Sequence, residues 1–121
     1  MQQVLLDTNF IITCIKQKID FFDDLNFKGF EIIIPKQVIE ELKKLSLKKG
    51  TAHSISEFAL KYLKTEKFKT INLANKQVDE AIIDYAKTHE AVVIATLDYD
   101  IKYKINNPRM VIKGMKKLDI V

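Results

Sequence analysis

Four carboxylates, Asp7, Glu41, Asp79 and Asp98, stand where an acid is costly or where open α/β sheets place their chemistry. Asp7 closes the apolar run Val4-Leu5-Leu6, and Asp98 follows a second apolar run over residues 91–95. Such a run, ending in an acid before a helical pattern, reads as a buried parallel strand, and ligands sit beyond the carboxyl ends of those strands. Glu41 and Asp79 fall inside helical patterns. At about 100° per residue, Glu41 lies on the flank of the stripe Val38, Ile39, Leu42 and Leu45, with Glu40 on the far side. Asp79 falls within the arc of Ile82, Ile83 and Ala86, whereas Glu80 and Asp84 point outward. A carboxylate that leans toward a core needs a compensating partner. Simpler roles stay open for each: a helix cap for Asp7-Thr8-Asn9, a surface flank for Glu41, a first-turn acid for Asp79.

Acids gathered in one place repel one another unless a cation neutralises them. An all-oxygen donor set, with two His and one Cys in the whole chain, selects Mg²⁺ or Mn²⁺ over Zn²⁺. One or two such ions can orient and acidify water and stabilise the leaving oxygen of a phosphodiester. The chain offers little else for catalysis. His53 and His89 lie off the strand ends and read as surface residues, and Cys14 reads as a small core residue with no disulfide partner.

The elements that must position these acids alternate. After the first strand come helical patterns over 10–16 and 19–27, broken at Gly29. A β-branched strand over 30–34 closes at Pro35, which suits entry to a helix over 36–47. A further helix spans 51–64, with Ala52, Ile55, Ala59, Tyr62 and Leu63 as its inner face. A strand over 68–73, a helix over 76–88, the strand over 91–95 and a short helix over 101–105 follow. Asn106-Asn107-Pro108 makes a turn, and edge strands cover 110–113 and 118–121. Strands alternating with helices imply parallel neighbours joined by crossovers. The expectation is an α/β three-layer α/β/α sandwich with a central parallel sheet of about five strands, filling one domain over residues 1–121.

With 47% hydrophobic and 30% charged residues, the composition is that of an ordinary globular domain. No apolar run approaches a membrane span and no secretion signal opens the chain, so a cytoplasmic location is expected. The net charge of +4, nearly all from Lys, points to a polyanionic partner, the more so with the four acids gathered into one negative site. Three glycines, Gly29, Gly50 and Gly114, leave no dinucleotide or P-loop motif. A receiver domain would leave Asp79 and Asp98 unexplained. A haloacid-dehalogenase reading of Asp98-Tyr99-Asp100 fails because too little chain follows.

The segments Leu6-Asp7-Thr8-Asn9, 35–42, 78–83 and 95–100 occur in the order and spacing of a known family. Over nearly its full length the chain resembles the PIN-domain family of metal-dependent ribonucleases. The resemblance implies a Rossmann-like sheet and an acidic pocket that binds Mg²⁺ or Mn²⁺ and cleaves RNA. Its acids fall on Asp7, Glu41, Asp79 and Asp98. Asp100 is a candidate fifth ligand, because Asp98-Tyr99-Asp100 is similar to the ribosome-processing branch more than to the toxin branch. Glu40 and Glu80 are the alternatives to Glu41 and Asp79. Thr8, Asn9 and Thr96 look like residues that orient the ligands, or else ordinary caps. Lys43, Lys44, Lys48, Lys49, Lys102, Lys104 and Arg109 are candidates for holding an RNA backbone, with little sequence discrimination. The implied partners are RNA in single-stranded regions, a second copy through apolar surface on 11–27 and 52–63, and an antitoxin or ribosome-assembly protein. The alternative function is a PIN-like RNA-binding scaffold with little activity.

Overall fold

The computed structural model describes residues 1–73, 77–114 and 116–121. The chain runs β1 (Gln3–Leu6), α1 (Thr8–Lys16), α2 (Phe21–Phe27), β2 (Glu31–Pro35), α3 (Lys36–Ser46) and α4 (Thr51–Lys64). It continues with β3 (Lys69–Ile71), α5 (Val78–Thr88), β4 (Val93–Ala95), α6 (Tyr99–Lys104), β5 (Arg109–Lys113) and β6 (Lys117–Ile120). Predicted helix 76–88 begins at Lys76, which lies outside the described residues; its described part starts at Val78.

The six strands form one sheet in the order β3-β2-β1-β4-β5-β6. The first five are parallel and β6 is antiparallel to β5. Five parallel strands agree with expectation. The sixth, and the interior place of β5 between β4 and β6, correct the reading of both C-terminal strands as edges. The short turn around Gly114 permits only an antiparallel return, which covers β5.

Strand alternation splits the core in two. Val4, Leu6, Ile32, Ile34, Val93 and Ala95 pack against α1, α2, α3 and α4. Leu5 and Ile94 face the other way, onto Ala81, Ile82 and Ala86 of α5 and Ile101 of α6. The cause is the direction of travel. From β1 the chain moves outward through β2 to β3, then doubles back across the sheet to β4. Right-handed crossovers in opposite directions place their helices on opposite faces. The reversal leaves a crevice at the carboxyl ends of β1 and β4, the switch point where open α/β sheets bind ligands.

Several boundaries differ from the periodic pattern because side chains replace strand neighbours. Gln37 donates from Nε2 to the Leu73 carbonyl (2.8 Å) and accepts the Leu73 N–H at Oε1 (3.1 Å), which takes residue 73 out of the sheet. Asn107 Nδ2 donates to the Val92 carbonyl (3.0 Å), so β4 begins at Val93. Gly29, at φ 85°, ends α2 in the left-handed conformation as its sequence position implied. On α4 the inner face is rotated from expectation. Ser56 is buried and Ala52 exposed, with Ala59 and Leu63 inward as predicted, because α4 packs on α3 and α1 rather than squarely on the sheet. No helix among the described residues is long and apolar enough to cross a membrane.

Candidate active site

Asp7 lies at the end of β1 and is 3% exposed. Its own N–H extends the ladder to Ala95 (3.0 Å), and its carboxyl accepts from the Thr8 N–H (2.8 Å) and the Thr96 hydroxyl (2.8 Å). Thr96 Oγ1 in turn accepts the Asp98 N–H (3.1 Å), and Asp98 Oδ1 accepts the Asp100 N–H (2.9 Å). One buried hydroxyl thus fastens together the acid-bearing ends of β1 and β4. Asp7 and Asp98 are also the caps of α1 and α6, so capping and site roles fall on the same residues rather than excluding each other.

Glu41 and Asp79 reach this crevice from α3 and α5. With Gln37, Glu40, Lys44, Gln77 and Val78 they line a cleft of about 360 Å³ between α3 and α5, next to Asp7 and Asp98 rather than lined by them. Electrostatics ties all the acids together. Burial pushes Asp7 from its ordinary 3.8 to about 6; its two hydrogen bonds oppose the rise, and the negative charges of Asp79 and Glu41 add to it. Asp79 is also raised, by desolvation first, then by Asp98 and Glu41, a carboxyl–carboxyl hydrogen bond with Asp98, and the charge of Asp100. Five carboxylates from four segments therefore share one field.

The other expected residues divide. Asp79 is exposed, not inside the apolar arc, because α5 starts at Val78 and its first turn stands at the rim of the cleft. Glu40 is exposed on the cleft wall, and Glu80 is exposed on α5. Thr8 and Thr96 are buried beside Asp7; Asn9 is exposed on α1. Lys44 lines the cleft, Lys43 is exposed on α3, and Lys48 and Lys49 occupy the turn before α4. Lys102 and Lys104 follow Asp98 on α6. Arg109 opens β5 and pairs with Ile94, one residue before the carboxyl end of β4. Both histidines are exposed: His53 pairs with Glu57 (3.0 Å) and His89 stacks on Tyr85. Cys14 is buried and its thiol is pushed up to about 12, in keeping with a core role.

A role missed from sequence belongs to Gln37. By clasping Asn72 and Leu73 it ties α3, which carries Glu41, to the segment that leads into α5 and Asp79. Its place one helical turn before Glu41 was the available signal.

The donor set fits a hard divalent cation. Every candidate ligand is a carboxylate, and burial, with repulsion from the neighbouring acids added to it, raises Asp7 and Asp79. Among the described residues no three His, Cys, Asp or Glu side chains converge tightly enough to cage an ion unaided. Mg²⁺ tolerates that, since it keeps several waters and takes few carboxylates. Thr8 Oγ1, buried beside Asp7, has no hydrogen-bond partner among the described residues, which suits a bound water or ligand oxygen there.

The Thr96 bridge gives a direct expectation. Thr96→Val removes the donor to a buried carboxylate and the acceptor for the Asp98 N–H, and should cost about 2 kcal/mol of stability at pH 7. Thr96→Ser should keep most of it. Urea denaturation at constant slope measures both. Equal stability of the Val and Ser variants would contradict the bridge.

Comparison with known proteins follows the same lines. A family model described as a PIN like domain matches residues 4–116. The chain is 36% identical over 129 residues to Ribonuclease VapC4 of Methanocaldococcus jannaschii, covering 99% of this chain and 97% of the relative. It is 32% identical over 107 residues to the rRNA-processing protein fcf1 of Schizosaccharomyces pombe, covering 84% of this chain and 52% of that protein, about half its length. Among solved structures, the PIN domain endonuclease Utp24 superposes with a TM-score of 0.77 at 27% identity, over 98% of this chain and 95% of that one.

Proposed function

The chain belongs to the PIN-like domain family, and from this we infer that it is a metal-dependent endoribonuclease whose site is the cleft at the ends of β1 and β4. Mg²⁺ or Mn²⁺ would be held by Asp7, Glu41, Asp79 and Asp98, with Asp100 at the rim. When bound, the ion supplies activation of water and stabilisation of the leaving oxygen of a phosphodiester. The chain's own residues do the rest. Thr96 and the Thr8 N–H orient the Asp7 carboxyl, the Asp100 N–H orients Asp98, and the Gln37 clasp ties α3, which carries Glu41, to Leu73. Lys44 beside the acids, with Lys43, Lys48, Lys49, Lys102 and Lys104 further out, draws in the polyanion.

What carries this reading is that the acids lie within reach of one another's charge: burial raises Asp7, with Asp79 and Glu41 adding to it, and burial raises Asp79, with Asp98 and Glu41 adding to it. Acids delivered from four segments to one switch point are unfavourable without a cation. RNA as the substrate rests on the relatives named for it. The biological setting is that of a toxin–antitoxin ribonuclease or of an rRNA-processing enzyme, two roles that differ in partner. The apolar groove of Ile15, Ile19, Phe58 and Tyr62 supports a protein partner, whether a second copy, an antitoxin or a ribosome-assembly factor.

Incubating an end-labelled, partly single-stranded RNA with the protein in Mn²⁺, Mg²⁺ or EDTA tests the function. Cutting is expected with either metal and none in EDTA, with internal products. RNA binding without metal-dependent cutting would instead make the chain a scaffold.

A further inference from the structure

Four tyrosines occur in the chain, and the fold uses only two. Tyr62 donates its hydroxyl to Asp20 and packs edge-on against Phe21 and Phe22, while Tyr85 stacks on His89. Tyr99 and Tyr103 are 70% and 84% exposed. They lie four residues apart on α6, so both rings stand on one side, opposite the buried Ile101 and Ile105. Lys102 Nζ sits 5.0 Å from the centroid of the Tyr99 ring, and Lys104 is exposed beside them. The pair begins one residue after Asp98, the cap of the same helix.

Exposed aromatic rings interleaved with lysines are what a protein needs to hold an unpaired strand: rings stack on bases and ammonium groups meet phosphates. Every base has a π-face, so such a surface demands single-strandedness while reading little sequence. We propose that Tyr99 and Tyr103 form a stacking platform for two unpaired bases of the RNA held at Asp98. This rests on the nuclease reading above and extends it from the phosphate backbone to the bases.

The test compares the full chain with Tyr99→Ala/Tyr103→Ala and Tyr99→Phe/Tyr103→Phe. The probes are a fluorescent single-stranded oligoadenylate and the same oligomer made abasic at several positions. Binding is read by anisotropy in EDTA, so cutting cannot interfere, and thermal unfolding checks the folds. The Ala pair should weaken binding to the intact oligomer by about tenfold or more, the Phe pair by less than about twofold. Wild type should bind the abasic oligomer as weakly as the Ala pair binds the intact one, with the salt dependence of binding unchanged. An Ala pair that binds like wild type overturns the platform. So does its loss of a concentration-dependent dimer at unchanged RNA affinity, which would assign the rings to a protein contact. A wild type that binds neither probe removes the platform and the RNA reading together. A parallel cleavage assay in Mn²⁺ separates the two ideas. Tyrosine-dependent binding without cutting leaves the platform standing and removes the nuclease, whereas cutting with tyrosine-independent binding does the reverse.

Discussion

Asp7→Asn should abolish RNA cleavage and at the same time make the metal-free protein harder to unfold. The activity loss, roughly a thousandfold, follows from removing the most buried of the acids proposed to hold the cation. The stability gain follows from linkage. Asp7 has a folded-state value of about 6 against an ordinary 3.8. Between about pH 4 and 6 the folded chain keeps a proton that the unfolded chain gives up, so stability falls as pH rises through that window and stays low above it. The full shift corresponds to about 3 kcal/mol. Asparagine occupies the same space, carries no charge and can still accept from the Thr8 N–H. In EDTA at pH 7 the variant should therefore gain about 1–3 kcal/mol, several degrees in Tm, and that gain should vanish near pH 4. Asp79, raised in the same direction, leaves part of the pH dependence in place. Thermal unfolding across pH in EDTA measures it. A variant less stable than wild type at pH 7 would contradict the desolvation of Asp7.

Phe22→Ala should have the largest effect on stability, about 4 kcal/mol. Phe22 is fully buried and stacks on Phe21 with ring centroids 5.0 Å apart. It meets Tyr62 edge-on at 5.3 Å and Phe68 at 6.1 Å. This aromatic cluster joins α2 to α4 and to the chain entering β3, far from the acids. Its loss leaves a cavity between rigid neighbours rather than a site that can collapse. Phe27→Ala, one turn further along α2 and 92% exposed, is the control and should change stability by less than about 0.5 kcal/mol. Urea midpoints at constant slope give both numbers. Similar costs for the two would mean that the cluster does not lock α2 to α4.

Asp7 and Asp98 were legible in the sequence because a buried strand and the acid that ends it are neighbours in the chain. Helix phase turned Glu41 inward of Glu40, and in the fold Glu41 is half-buried and Glu40 exposed, both on the cleft wall; the start of α4 was readable from Gly50. What escaped depends on segments that meet only after the sheet forms. Thr96 bonds to Asp7 across 89 residues, and Gln37 clasps Leu73 across 36. Neither partner is visible in local periodicity. The exposure of Asp79 turned on where α5 begins, a boundary that periodicity fixes poorly. The burial of Ser56 in place of Ala52 reflects helix-on-helix packing, which rotates a face without changing its spacing. The interior position of β5 required the antiparallel return of β6, set by a turn rather than by either strand's pattern.

The measurement closest to the central claim is single-turnover cleavage of one labelled RNA in Mn²⁺ by wild type, Asp7→Asn and Asp98→Asn, all shown to be folded. The acid-cluster account predicts cutting by wild type that EDTA stops, and a loss of roughly a thousandfold in both variants. Equal cutting by wild type and either variant would contradict it, because the activity would then not pass through the acids at the ends of β1 and β4.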